Sequence, residues 1–191
     1  MTKDEFLLRF NLLQLAESEH NYQHASPLKS AAVLIALVES ENSQGLQVLL
    51  TKRASHLRHH PSQVSFPGGK VEKEDISLID TALREAYEEI GLSREAITVL
   101  GQLPPYQTIS GFQVTPIIAI VASSPLYQMD KNEVAEIFQV PLQHFITTND
   151  HHVFVAHRGG KPHNVHFLPY KHHNIWGATA VMLKDLVAHI S

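Results

Sequence analysis

The feature that constrains the fold most strongly is residues 77–90, in which apolar side chains recur at helical spacing. At about 100° per residue, one side of this predicted helix is apolar. Gly91 follows directly and predicts a left-handed cap that ends the helix. A helix with one apolar face packs that face against another layer of structure. The apolar positions are Ile79, Leu83, Ala86 and Ile90.

The polar side of the same helix carries three glutamates, Glu85, Glu88 and Glu89. On a helical projection they fall within about 100° of one another and form one acidic stripe. Carboxylates at this spacing repel each other by roughly 0.2–0.5 kcal/mol per pair, so a bound cation would stabilise the arrangement. Oxygen ligands at this density favour Mg²⁺ or Mn²⁺. The alternative is a solvated acidic face that holds no ligand.

A glycine-containing turn at residues 66–70 precedes this helix. Glycine lets the backbone approach a phosphate or a metal ion closely, and Lys70 can meet anionic charge. The turn and the acidic stripe together favour a site for a diphosphate and its metal ions. Arg84 neighbours the glutamates, and we expect it to orient a carboxylate rather than to bind substrate.

The composition restricts the chemistry and the partners. Cysteine is absent, which excludes disulfides, thiolate metal sites and thiol nucleophiles. The formal net charge of -4 provides no basic footprint for nucleic acid. The longest apolar run, residues 31–38, is too short to cross a bilayer, and Asp4 and Glu5 stand where a secretory signal would be basic. We therefore expect a cytoplasmic protein with no nucleic-acid or membrane partner.

The remaining pattern predicts an α+β fold with a mixed β-sheet. Residues 1–28 are interpreted as an N-terminal helical extension, with its helix at residues 2–19, and residues 29–191 as one domain. Residues 41–45 predict a hairpin loop, and residues 54–75 a long polar loop of the kind that is often functional. Close spacing of successive strands argues against repeated βαβ crossovers. Strands are predicted at residues 31–38, 47–53, 97–100, 114–122, 136–140, 153–156 and 165–168, and a final helix at about residues 177–190.

Fourteen histidines are unusual for a chain of this length, and several are close neighbours. Adjacent residues of a strand or loop point in different directions, so we expect partly exposed, solvating side chains rather than metal ligands. The clusters are His56/His59/His60, His151/His152 and His172/His173.

The glycine turn and the acidic helix together resemble the Nudix box, usually written G-x5-E-x7-R-E-U-x-E-E-x-G-U with U an aliphatic residue. The sequence departs from this pattern in two places. The first acidic position holds aspartate with one extra residue before Arg84, and Ala86 fills an aliphatic position. The resemblance implies a Nudix-like α/β/α sandwich. The matching run is Gly69-x5-Asp75-x8-Arg84-Glu85-Ala86-x-Glu88-Glu89-x-Gly91-Leu92.

A narrower resemblance extends over most of the chain. Residues 49–58, followed by residues 66–69, are similar to the motif that precedes the box in coenzyme A pyrophosphatases of this superfamily, with Ser62 where glycine is usual. Residues 110–116, 133–142 and 175–180 are similar as well. Members of this subgroup cleave coenzyme A into 3′-phospho-AMP and 4′-phosphopantetheine.

The resemblance implies roles for individual residues. Glu85 and Glu89 would be metal ligands, Glu88 a third ligand or the base that activates water, and the Gly69 carbonyl a further ligand for Mg²⁺ or Mn²⁺. Glu133 would be a catalytic glutamate outside the box, against the alternative of an exposed loop carboxylate. Four cationic side chains could bind the substrate: Lys52, Arg53, Arg58 and Lys70, with Ser110 as a polar contact. Three aromatic residues would either stack on the substrate or pack in the core: Tyr106, Phe112 and Trp176.

Two alternatives stay open from the sequence. The same site could accept ADP-ribose or another nucleoside diphosphate derivative, or the chain could be a non-catalytic nucleotide sensor. In each case the partner is a small-molecule nucleotide, and a homodimer is compatible with the sequence.

Overall fold

The computed structural model describes residues 1–12, 27–39, 45–122, 126–158 and 160–191. The helices are α1 (Lys3–Leu12), α2 (Leu78–Ile90), α3 (Leu142–Thr147) and α4 (Ala178–Ile190), with a 3₁₀ turn at Arg94–Ala96. The strands are β1 (Lys29–Glu39), β2 (Leu46–Arg53), β3 (Val64–Ser65), β4 (Gly68–Lys70), β5 (Ile97–Gln102), β6 (Tyr106–Gln107), β7 (Phe112–Val121), β8 (Val134–Pro141), β9 (His152–Arg158), β10 (Lys161–Tyr170) and β11 (His173–Trp176).

Strands β1 to β8 form one mixed sheet. At its centre β1 and β7 run parallel, in a register from Lys29 opposite Phe112 to Val38 opposite Val121. The other pairs are antiparallel: β2 and β4 with β1, β5 and β6 with β7, and β3 and β8 with β2. Both faces of β1 are buried, as its nearly continuous apolar sequence predicts for a parallel strand. The predicted mixed sheet is confirmed.

The sheet is covered on both faces. Successive residues of β1 point to opposite sides, so Leu34 packs toward α2 while Ile35 packs toward α4. Strands β9, β10 and β11 form a separate antiparallel sheet, of which β10 and β11 contact α4. The result is an α+β sandwich in which α2 is the α-helix that packs against one face, among the helices described. Within the described ranges, no helix has the length and apolar character needed to span a bilayer.

Local signals define both ends of α2. The hydroxyl of Ser77 accepts a hydrogen bond from the backbone N–H of Asp80 at 3.1 Å, which is an N-cap. Gly91 adopts a left-handed conformation with φ 67°; its N–H donates to the carbonyl of Tyr87, and the N–H of Leu92 donates to that of Ala86. The predicted helix and its glycine cap are confirmed.

The N-terminal helix belongs to the core. Helix α1 ends at Leu12, and residues 13–19 of the predicted helix lie outside the described residues, as does most of the predicted hairpin loop at residues 41–45. Phe6 is fully buried and Phe10 nearly so, both in the apolar cluster on the α4 side of the sheet. His189 of α4 packs edge-on against Phe10.

The prediction of one polar loop at residues 54–75 was wrong in part. The segment contains β3 and β4, which have two and three residues and therefore show no periodicity that a sequence could reveal. Strands β6 and β11 and helix α3 are also absent from the prediction, for the same reason of length.

Candidate active site

The short strand β4 brings the glycine turn directly against the acidic stripe of α2. A Cβ at Gly69 would collide with the carboxylate of Glu85, so a larger residue there would displace the Glu85 side chain. The backbone N–H of Gly68 donates a hydrogen bond to Glu89. The predicted meeting of glycine turn and glutamates is present in the structure.

The three box glutamates differ in burial. The side chain of Glu89 is 4 % exposed, that of Glu85 16 % and that of Glu88 55 %. Glu89 therefore lies at the base of the site, Glu85 in its wall and Glu88 at its rim.

Glu89 is held in an environment that disfavours its charge. Burial raises the pKa of Glu89 to about 8, and the charges of Glu85 and Glu133 add to the effect, while Arg53 offsets part of it. Its Oε1 lies 3.9 Å from a guanidinium nitrogen of Arg53. Its Oε2 is buried and has no hydrogen-bond partner among the described residues. A buried, unpartnered carboxylate oxygen is the donor that a divalent cation would satisfy.

Arg84 connects the acidic residues. Its Nη1 donates to Glu85 at 3.0 Å and to Glu88 at 2.8 Å. Its Nε and Nη2 donate to the two oxygens of Asp75 at 3.0 Å each, and Nη2 also reaches the Lys70 carbonyl at 3.1 Å. These contacts are those expected of an arginine that orients carboxylates.

Asp75, which stands where the box has its first glutamate, is the buried partner of Arg84. Its side chain is 4 % exposed and also accepts from the Thr81 hydroxyl and the Glu72 N–H. Hydrogen bonds from Arg84 hold the pKa of Asp75 well below its usual range, in spite of burial. Asp75 thus forms an ion pair with Arg84 although one extra residue separates them.

Glu133 lies close enough to raise the pKa of both Glu85 and Glu89, for which burial is the larger cause. Its carbonyl accepts a hydrogen bond from Ala54 at 2.8 Å, which ties the start of β8 to the end of β2. The structure therefore places this exposed carboxylate beside the box glutamates; its chemical role stays a prediction.

The predicted substrate cations do not all converge. Arg53 faces Glu89, whereas the neighbouring Lys52 lies toward His173, beyond the other face of the sheet. Arg58 and Ser110 are exposed in loops, and Lys70 is exposed with its ammonium 5.7 Å from the Phe112 ring centroid. Strand alternation explains the separation of Lys52 from Arg53.

The three aromatic residues that could stack on a substrate, Tyr106, Phe112 and Trp176, pack against other side chains of the protein. Tyr106 and Phe112 are half-buried against the apolar cluster. Trp176 lies in β11 and stacks on Phe167, with ring centroids 6.1 Å apart.

The expectation that His172 and His173 only solvate the surface was wrong for His173. This residue is 6 % exposed and stacks on Phe138, with ring centroids 3.7 Å apart. Burial lowers its pKa, and the charges of His172, Lys52 and Lys171 lower it further against the opposite effect of Glu136. The pattern could not reveal this because His172 occupies a tight turn, where strand alternation does not apply.

Related sequences cover the whole chain. A family model described as the NUDIX domain matches residues 28–158. A protein called uncharacterized Nudix hydrolase NudL from Enterobacter sp. (strain 638) is 42% identical over 190 residues, covering 100% of this chain and 95% of that protein. Its namesake from Klebsiella pneumoniae (strain 342) is 40% identical over 187 residues, covering 98% and 94%.

Solved structures share the fold. A Nudix hydrolase from M. smegmatis, RenU, superimposes with a TM-score of 0.53 at 24% identity, over 67% of this chain and 79% of that one. A Nudix hydrolase from Alicyclobacillus acidocaldarius gives 0.52 at 17% identity, over 86% and 93%. The solved structures support the fold, and the family match and the sequence relatives indicate hydrolase activity. The chain therefore belongs to the Nudix hydrolases, metal-dependent enzymes that hydrolyse nucleoside diphosphate-linked substrates.

Proposed function

We propose that this enzyme hydrolyses coenzyme A or its acyl derivatives to 3′-phospho-AMP and 4′-(acyl)phosphopantetheine. The observation that carries the proposal is the resemblance of residues 49–58 and 66–69 to the motif of coenzyme A pyrophosphatases. Three members of that motif, Arg53, Gly68 and Gly69, contact Glu89 or Glu85. The motif is thus part of the same site as the box.

The donor set suits Mg²⁺ or Mn²⁺. Glu85 and Glu89 would hold the ion, with the Gly69 carbonyl and Glu88 as further oxygen donors, and the unpartnered Oε2 of Glu89 supports this assignment. A divalent ion bound there neutralises charge on the diphosphate and lowers the pKa of water.

The chain's own residues prepare this site. Arg84 fixes Glu85 and Glu88 from one side, and Asp75 fixes Arg84 in turn. Glu88 and Glu133 are the carboxylates proposed to accept a proton from the attacking water, because both are exposed beside the buried pair. Arg58 and Lys70, which are also exposed, are proposed to meet the phosphates of the substrate.

The test is a panel of coenzyme A, acetyl-coenzyme A, dephospho-coenzyme A, ADP-ribose and a dinucleoside polyphosphate, assayed with Mg²⁺ and with Mn²⁺. We expect kcat/KM for coenzyme A to exceed that for ADP-ribose at least tenfold, with 3′-phospho-AMP as a product. A preference for ADP-ribose would overturn the coenzyme A assignment and leave the family assignment intact.

Dephospho-coenzyme A provides a matched control, since it lacks only the 3′-phosphate. A charge-assisted hydrogen bond contributes about 1.5–3 kcal/mol, so its loss should lower kcat/KM by roughly ten- to a hundredfold. Equal rates for the two compounds would contradict recognition of the 3′-phosphate by the exposed cations.

A further inference from the structure

A second group of ligand side chains lies on the face of the sheet opposite to α2. On β8, Phe138 and Val140 pack in the apolar cluster of the α4 side, whereas Ile137 packs in that of the α2 side. Glu136 alternates with Ile137 and so shares the face of Phe138. We propose that Glu136, His172 and His173 bind a divalent metal ion that prefers nitrogen ligands, such as Zn²⁺.

The distances between the donors carry the proposal. One ligand atom from each of the three side chains lies within 4.8 Å of the others, and the box glutamates are not among the described residues that meet this condition. Nε2 of His173 is 3.4 Å from Oε1 of Glu136, and the ring centroids of His172 and His173 are 4.0 Å apart. Ligands about 2.0–2.1 Å from a tetrahedral ion are separated by about 3.3 Å, so one pair already has the required spacing.

One ligand is fixed and two can adjust. His173 is buried and stacked on Phe138, which restricts its ring. His172 is exposed, in the two-residue turn between β10 and β11, and the side chain of Glu136 is 38 % exposed. The proposal requires rotation of these two side chains to bring all three donors to the spacing of a metal site, with solvent as the fourth ligand.

The surrounding charge indicates which ion would bind. Lys52 and Lys171 lie near His173, and their positive charges oppose a cation held by electrostatic attraction alone. Two imidazoles and one carboxylate instead favour Zn²⁺, Ni²⁺ or Cu²⁺ over Mg²⁺, because these ions bind nitrogen strongly. The site is therefore distinct in metal preference from the box.

A bound ion would connect the two sheets. Glu136 belongs to the eight-stranded sheet, and both histidines belong to the turn and first residue of β11 in the three-stranded sheet. Binding to the folded state alone would raise the stability of the protein, in proportion to the logarithm of the metal concentration.

The experiment is calorimetric titration of the tag-free, metal-stripped protein with Zn²⁺, in saturating Mg²⁺ to occupy the box carboxylates and without nucleotide. Wild type is expected to bind one Zn²⁺ that His172→Ala does not bind. Glu136→Gln is expected to bind this ion with an affinity at least tenfold weaker than that of wild type. His152→Ala is the matched control. Like the proposed site, His152 belongs to a pair of adjacent histidines and has a carboxylate nearby, with 3.5 Å between its Nε2 and Oδ1 of Asp150. This control should bind as wild type does.

Thermal unfolding supplies an independent readout. Zn²⁺ should raise the Tm of wild type and of His152→Ala, and leave that of His172→Ala unchanged. Unaltered Zn²⁺ stoichiometry and affinity in both His172→Ala and Glu136→Gln, or no binding by wild type, would overturn the proposal. Hydrolytic activity does not enter either measurement, so the result is independent of the substrate assignment.

Discussion

At the scale of single residues, the site is built around a carboxylate whose charge the fold opposes. Glu89 is nearly fully buried, lies near two other carboxylates and has one oxygen without a partner. Such a group destabilises the metal-free protein and becomes favourable when a cation binds. The helical projection predicts that Glu85, Glu88 and Glu89 share a stripe. It cannot predict their different burial, which depends on β4.

Replacing Glu89 with glutamine separates function from stability. We expect kcat to fall about 10²-fold or more, because a metal ligand loses its charge while its shape is kept. The metal-free variant should unfold at a higher temperature than metal-free wild type, by about 2–4 °C per kcal/mol of relieved strain. Enzyme assays and thermal denaturation check both effects. The exposed Glu95→Gln should change neither, and full activity in Glu89→Gln would contradict the proposed ligand.

Asp75 makes a pH-dependent contribution to stability. Its hydrogen bonds with Arg84 depress its pKa in the folded state, so the contribution is present above the unfolded-state pKa and is lost as the pH falls toward the folded-state value. Asp75→Asn should lower the free energy of unfolding by about 1–3 kcal/mol at pH 7. The difference from wild type should shrink below about pH 4, where the unfolded-state carboxyl protonates. A difference that grows in acid, measured by urea denaturation, would be incompatible with the ion pair.

At the scale of elements, the site is the contact between β4 and α2. The helix could be predicted because its periodicity and its terminal glycine are local signals, whereas its N-cap at Ser77 was not predicted. The three residues of β4 carry no such signal, and only the glycines suggest a close approach of backbone and ligand. The opposite orientations of Lys52 and Arg53 follow from strand alternation, once the strand is known to extend through both.

Gly69→Ala tests this contact. Its added Cβ would meet the Glu85 carboxylate, and neither Gly69 nor Gly101 has a positive φ, so the expected effect is steric rather than conformational. Displacement of Glu85 should lower kcat/KM by about ten- to a hundredfold, since small misplacements at an active site have effects of this size. Gly101→Ala is the control, because its Cβ would make only ordinary contacts with Phe10. The measurement is steady-state kinetics of both variants. Wild-type kcat/KM in Gly69→Ala as well as in Gly101→Ala would argue against close packing at Gly69.

At the scale of the whole molecule, the N-terminal helix and the three-stranded sheet complete the layer opposite to α2. The sequence predicts the helix, and the structure shows that Phe6 and Phe10 enter the main core. The pairing of β1 with β7 could not be predicted, because its partners are separated by more than eighty positions along the chain. The clustering of Glu136 with the two histidines depends on the same kind of long-range packing.

The contribution of the N-terminal helix can be measured with one variant. Phe6→Ala should lower the free energy of unfolding by about 3–5 kcal/mol, the usual loss for a buried phenylalanine. Leu8→Ala on the same helix is the control, since Leu8 is 61 % exposed and should change stability little. Similar denaturation midpoints for Phe6→Ala and wild type would show that α1 does not support the core.

The central claim is that the carboxylates of α2 act by holding divalent cations against the paired phosphates of a substrate. The direct measurement is cleavage of coenzyme A and the other diphosphates by protein treated with a chelator, freed of it, and then resupplied with Mg²⁺ or Mn²⁺. We expect the stripped enzyme to lose at least about 10²-fold in rate and the added ion to restore it. Cleavage that continues undiminished without metal, or no cleavage of any diphosphate after metal is returned, would contradict the claim.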